Sequence, residues 1–122
     1  MHIAAFAQKT GLTAHTLRYY EKIGLLTGVS RNAQGHRQYA DKDVDWVQFI
    51  LRLKDTGMPL QEIQRYAQLR AQGAETYEKR QAMLEKHRAV LNEKLQTQQQ
   101  HLSVLDAKIA FYEKHKTSLD FV

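Results

Sequence analysis

Thr13-Ala14-His15-Thr16-Leu17-Arg18-Tyr19-Tyr20-Glu21-Lys22-Ile23-Gly24-Leu25-Leu26 is the stretch that decides the fold of this chain. Thr13 offers a hydroxyl as a helix N-cap, and Gly24 ends the helix. Between them, Leu17 and one of the adjacent tyrosines face inward, leaving a basic, aromatic outer face. Upstream, Ile3, Phe6 and Ala7 recur at helical spacing in a first helix from about Ile3 to Thr10. Gly11-Leu12 then breaks the chain so that the second helix can cross the first. The pattern is that of a helix-turn-helix whose second helix is presented to DNA.

Downstream, helical periodicity lapses from Leu25 to Tyr39. Arg31-Asn32-Ala33-Gln34-Gly35 supplies the turn of a small hairpin between Leu26–Val29 and His36–Tyr39, which reads as a two-stranded wing. Asp41 is placed to cap a third helix that carries Val44, Val47, Ile50, Leu51 and Leu53 inward and closes at Gly57. Pro59, in a first helical turn, opens a fourth helix that buries Leu60, Ile63 and Ala67. Residues 1–73 are thus expected to form a winged helix-turn-helix domain, and residues 74–122 a linker, a dimerisation helix and a short tail.

From about Thr76 to Lys116 the sequence lacks both glycine and proline, enough for a helix of about 60 Å. Leu84, Leu91, Gln98, Leu105 and Tyr112 fall seven apart, interleaved with Arg88, Leu95, Leu102 and Ile109. This is a coiled-coil seam with two polar interruptions, and a seam needs a partner helix. Self-association is the reading preferred over folding back, because the N-terminal domain is too small to cover such a length. The heptads leave strand orientation open.

Composition narrows the function. A chain of 122 residues with 43% hydrophobic and 25% charged residues fits one compact domain plus an extension. Without cysteine there is no disulfide, zinc-thiolate site or thiol sensor. The apolar run Ile3–Ala7 is too short for a secretory core or a membrane span, so the expectation is a cytoplasmic protein without a membrane partner. The net charge of +5 is concentrated at the front: residues 1–40 hold five Lys or Arg against the single acid Glu21. A localised basic face favours phosphate polymers. No glycine-rich phosphate loop, HExxH arrangement or convincing carboxylate pair argues for an enzyme, and Asp41, Asp43 and Asp45 read as a helix-start acidic cluster.

Arg18 and Tyr19 stand where a recognition helix reaches base edges, and arginine offers paired donors that suit guanine. Thr16 shares that helix start, and Tyr20 and Lys22 are expected at phosphate. Arg31 on the hairpin and Arg37 and Tyr39 on its return strand extend the footprint along the backbone. His15 and His36 lie near the same face, where contact competes with packing.

Taken in order, Ile3-Ala4-Ala5-Phe6-Ala7, Thr16-Leu17-Arg18-Tyr19-Tyr20-Glu21, Ile23-Gly24-Leu25-Leu26, Arg31, Gly35-His36-Arg37-Gln38-Tyr39, Asp43-Val44 and Gly57-Met58-Pro59-Leu60 resemble the MerR family of bacterial transcriptional regulators. The resemblance implies a mainly α protein in which a winged helix-turn-helix is joined to a long helix forming an antiparallel coiled coil in a homodimer. It implies base contacts from Arg18 and Tyr19 and backbone contacts from Tyr20, Arg31, Arg37 and Tyr39. Lys54 matches a phosphate-contacting position beside helix 4. It further implies an inverted repeat inside an overlong promoter spacer, which the dimer bends and untwists for RNA polymerase. Dimer contacts would come from Leu84, Leu91, Leu95, Leu102, Leu105, Ile109 and Tyr112.

Only Thr117 to Val122 follow Lys116, so neither a metal loop nor a drug-binding domain is expected in this sequence. The short form resembles the aldehyde- and stress-responsive branch, but the position of that branch's cysteine falls at Arg52, which cannot act as a thiol nucleophile. His87, His101 and His115 share one heptad position beside the seam but stand about 21 Å apart at each step, too far to meet in one chain. No metal and no cofactor are assigned, and the effector stays open. Phe111, Tyr112 and Phe121 form an aromatic end suited to docking or to framing a pocket. The rival reading is a coiled-coil interaction module that tethers non-specifically to nucleic acid.

Overall fold

The computed structural model describes residues 1–116, so Phe121 lies outside the described residues. The elements run α1 (Ile3–Thr10), α2 (Ala14–Lys22), β1 (Ser30–Arg31), β2 (Arg37–Gln38), α3 (Asp41–Asp55), α4 (Leu60–Gln72), a short 3-10 turn (Ala74–Thr76) and α5 (Tyr77–Lys114). By packing, the chain divides into a unit of residues 1–85 and a second beginning at Lys86.

Within the first unit, local chemistry sets each boundary. α1 stops where Gly11 takes a φ of 75° and returns its N–H to the Ala7 carbonyl, a left-handed cap that a side chain would strain. α2 then starts with the Thr13 hydroxyl accepting from the Thr16 N–H at 3.1 Å. At the entry to α3 the cap comes from a different aspartate than expected. Asp43, buried, accepts from the Ala40 N–H at 2.9 Å, while Asp41 is the exposed first residue of the helix, 3.5 Å from Lys9. Pro59 occupies the N-cap of α4 rather than its first turn. Leu60, ahead of the packed stripe Ile63, Tyr66, Ala67 and Leu69, stays 47% exposed instead of buried.

The wing is shorter and later than the hydrophobic pattern suggests. Its strands pair antiparallel with Ser30 opposite Gln38 and Arg31 opposite Arg37. Leu25 and Leu26 do not enter the hairpin, because their N–H groups return to the Tyr20 carbonyl and their side chains join the core. The positive φ of Gly28 then separates them from β1. The turn is closed by Asn32, whose side-chain oxygen accepts from the Gln34 and His36 N–H groups.

One core serves all these pieces. Phe6 of α1 stacks on Tyr39 just after β2, with centroids 4.2 Å apart and planes within 8°. Leu17, Tyr20, Val47, Ile50, Leu53 and Ile63 fill the space between the helices. The sequence reading overlooked Trp46, which is buried, stacks on Tyr66, lies under the Arg70 guanidinium, and donates its indole N–H to the Leu25 carbonyl at 2.7 Å. The junction into α5 is tied as well. The buried Thr76 hydroxyl sits 2.6 Å from the Leu69 carbonyl and 2.8 Å from that of Gly73, while Arg80 donates to Thr76 Oγ1 and to the Gly73 carbonyl.

In the second unit, α5 continues as regular helix through Lys114. Leu91, Leu95, Leu102, Leu105, Ile109 and Tyr112 are all exposed along it, whereas Leu84, in the first unit, packs against that unit's core.

Replacing Trp46 with Phe keeps the ring but leaves the buried Leu25 carbonyl without its donor, a loss of about 1–3 kcal/mol. Urea unfolding should show a lower midpoint with an unchanged slope.

Candidate nucleic-acid interface

Between the start of α1, the exposed side of α2 and the wing lies a recess of about 330 Å³ lined by His2, Ile3, Arg18, Arg31, Gly35, His36, Arg37 and Tyr39. Three guanidiniums and two imidazoles thus converge on one concave surface. It is built from three separate parts of the chain, which meet because Phe6 and Tyr39 stack beneath it.

Two of the arginines are held in place. Arg31 Nη1 donates to the Gly35 carbonyl across the hairpin turn at 2.7 Å. Arg37 Nε lies 2.8 Å from Glu21 Oε1 and 2.7 Å from Oε2, so α2 and β2 are joined by a charged hydrogen bond. That bond and the carboxylate charge raise the Arg37 pKa above its ordinary value. Its free N–H groups stay cationic donors, which an anion needs. Tyr39 is pushed up chiefly by burial and then by the charge of Glu21, so its phenol stays protonated.

The expected site residues differ in place and in depth. Arg18, Arg31, His36, Arg37 and Tyr39 come together at the recess. Lys22 and Lys54 are exposed outside it, Tyr19 is 49% exposed on α2, and the Thr16 hydroxyl lies 3.0 Å from that of Thr13. Tyr20 and Tyr39 are buried, at 6% and 3% exposure, so their rings belong to the core. Tyr20 is the inward member of the tyrosine pair. Two residues escaped the sequence reading. His2 lines the recess, and its side chain makes no capping hydrogen bond to α1. Glu21, read as the one acid of the basic front and as part of the family-like stretch but given no role, orients Arg37. The i, i+16 separation of that pair gives no local signal. Among the described residues no group of three or more His, Cys, Asp or Glu could hold a metal ion, and no helix is long and apolar enough to cross a membrane.

A two-helix crossing with an exposed basic second helix, a cationic recess shared with a wing, and a long helix bearing an exposed apolar row define a winged helix-turn-helix DNA-binding regulator. The chain belongs to the MerR family. The profile described as MerR HTH family regulatory protein matches residues 1–69, and the one described as MerR, DNA binding matches residues 44–108. An HTH-type transcriptional regulator of Haemophilus influenzae is 38% identical over 113 residues, covering 93% of this chain and 84% of the relative. The Bacillus subtilis regulator AdhR is 39% identical over 93 residues, 76% of this chain and 66% of its own length. Among solved structures, HiNmlR, a MerR family regulator lacking the sensor domain and bound to promoter DNA, superposes with a TM-score of 0.81. It shares 37% identity and covers 96% of this chain and 93% of its own. A MerR family regulator from Listeria monocytogenes reaches a TM-score of 0.87 at 32% identity, covering 96% and 89%.

Two outcomes follow from the recess. Glu21→Gln removes the carboxylate that competes with phosphate for Arg37, so affinity for unrelated duplex DNA should rise roughly two- to fivefold at low salt in an anisotropy titration. Because burial raises the Tyr39 pKa, its contribution to stability is fully present below the ordinary tyrosine value of about 10 and is lost as pH climbs through the higher folded value. Tyr39→Phe should therefore flatten the alkaline limb of a stability-versus-pH curve.

Proposed function

We propose that this protein is a homodimeric transcriptional regulator that reads an inverted repeat in a promoter spacer and acts by bending and untwisting the DNA. The observation carrying the proposal is the convergence of Arg18, Arg31, Arg37, His36 and His2 on one recess beside the exposed face of α2. Residues 1–73 serve as the DNA-binding part and residues 74–122 as the part that pairs. α2 enters the major groove with Arg18 and Tyr19 toward base edges. Arg31, His36, Arg37, His2, Lys22 and Lys54 take phosphate, which fixes register without reading sequence. Tyr20 and Tyr39 act from beneath, as buried supports of those groups.

Pairing rests on the exposed row from Leu91 to Tyr112, whose side chains are about a third to three fifths exposed along helix α5. Burying that row against an antiparallel copy removes an apolar stripe from water and sets two recognition helices for two half-sites. Deforming a short site costs on the order of 1–6 kcal/mol, within reach of a dimer that makes many phosphate contacts. A reshaped spacer gives RNA polymerase its two promoter elements in register. Nothing in this cycle calls for turnover, so the protein works as a binder rather than an enzyme.

Sequencing the genomic fragments retained at physiological salt, then footprinting the best of them, tests the proposal. An inverted repeat between promoter elements is expected, and diffuse retention without a motif would return the protein to a non-specific tether. On that operator Arg18→Ala should lose about 1–3 kcal/mol of discrimination against a substituted base pair. Lys54→Ala should weaken matched and unrelated DNA alike and lower the salt dependence. Equal losses on both DNAs for both variants would overturn the division of roles.

A further inference from the structure

With Leu91, Gln98 and Leu105 at position d and Leu95, Leu102 and Ile109 at position a of the α5 heptads, the g positions are His87, Lys94, His101, Lys108 and His115. Every member of that row is basic. The e positions on the other flank are Glu85, Asn92, Gln99, Asp106 and Glu113, acidic or amide throughout. Flanking charges of this kind choose partner and orientation in coiled coils.

Lys94, His101 and Lys108 have no acidic residue three or four positions away on α5. Three and four residues from any of its members stand only Met83, Leu84, Val90, Leu91, Thr97, Gln98, Val104, Leu105, Phe111 and Tyr112 within the described residues, and none carries charge. Instead Lys108 Nζ lies over the Phe111 ring at 5.9 Å, and Phe111 and His115 pack with centroids 4.4 Å apart.

We propose that this row makes self-association of the chain respond to protons, the dimer holding at neutral to alkaline pH and loosening on acidification. The inference rests on the antiparallel homodimer put forward above. In an antiparallel pair the g row of one helix runs along the g row of the other, and e runs along e. Because all five residues are basic, every g position that overlaps a g position of the partner sets His or Lys against His or Lys, so the sign of the effect is the same at each overlapping pair. Where two g positions meet across the seam, the groups facing a histidine are therefore the partner copy's own imidazoles and ammoniums. The opposed e rows add the carboxylates of Glu85, Asp106 and Glu113 on the far edge of the seam. The a-position Arg88 adds a further cation. Lysine is charged throughout that range, so the imidazoles are the variable element. Fewer protons are bound by the dimer than by two separated chains, and linkage then drives dissociation as pH falls between about 8 and 5. For a chain without cysteine this supplies an input built into the pairing helix itself.

The test is sedimentation equilibrium of the full chain without DNA at pH 8.0 and 5.5. The dissociation constant is expected to rise about tenfold or more in acid, on the scale of a few coupled protons. The triple variant His87→Gln, His101→Gln, His115→Gln should keep the pH 8.0 value at both pH values while retaining its helical circular dichroism. A dimer equally tight at both pH values overturns the proposal and leaves the dimer intact. A dimer that tightens in acid overturns it too, because that sign belongs to a parallel pair in which the g row faces the acidic e row. A chain monomeric at pH 8.0 overturns the homodimer reading itself.

Discussion

The stack of Phe6 on Tyr39 is the contact on which the interface depends. Phe6 is fully buried and belongs to α1, while Tyr39 follows β2, so one pair of parallel rings fixes where the wing lies against the helix-turn-helix. The Tyr39 N–H donates to the Met1 carbonyl at 2.8 Å, tying the backbone of the same two segments. That seam, together with the Glu21–Arg37 bond between α2 and β2, keeps Arg18 on α2 and Arg31 and Arg37 on the hairpin at one surface. Their convergence is therefore a property of the core expressed at the surface. It also explains why Tyr39 belongs to the interface although its ring faces inward: it sets the position of its neighbours.

Electrostatic order within the interface comes from few groups. The single acid of the first forty residues, Glu21, stands against Arg37 and aligns it, while Arg31 is aligned by a backbone carbonyl. Two guanidiniums are thus oriented before any anion arrives, which lowers the side-chain entropy lost on binding. Arg18 projects into the recess from a regular helix, suited to a group that must meet whichever base edge is presented.

Much of the fold was legible in the sequence, and where legibility failed the cause was tertiary. α1 is bounded at Ile3 and Thr10 as its periodicity indicates, and Thr13, Gly24 and Gly57 punctuate as their chemistry requires. The wing was displaced because Leu25 and Leu26 look like strand residues but are claimed by the core and by the Tyr20 carbonyl. Trp46 stands four and seven residues before Ile50 and Leu53 on the buried stripe of α3 and was passed over for its aliphatic neighbours; the hydrogen bond that anchors it, to a carbonyl twenty-one residues earlier, leaves no local trace. For the site, the residue types were readable and their depth was not. Nothing local distinguishes an exposed Tyr19 from a buried Tyr20, and His2 enters the recess only because the wing folds back beside it.

The joint between α4 and α5 has a mechanical meaning. Across one short 3-10 turn the Thr76 hydroxyl shares its proton between the carbonyls of Leu69 and Gly73, while Arg80 donates to Thr76 Oγ1 and to the Gly73 carbonyl. Such a joint behaves as a weld rather than a swivel. A twist of the first turn of α5 against α4 has to break those bonds together. Within the first unit, the opening turn of α5 is fastened to the end of α4 rather than hinged on it.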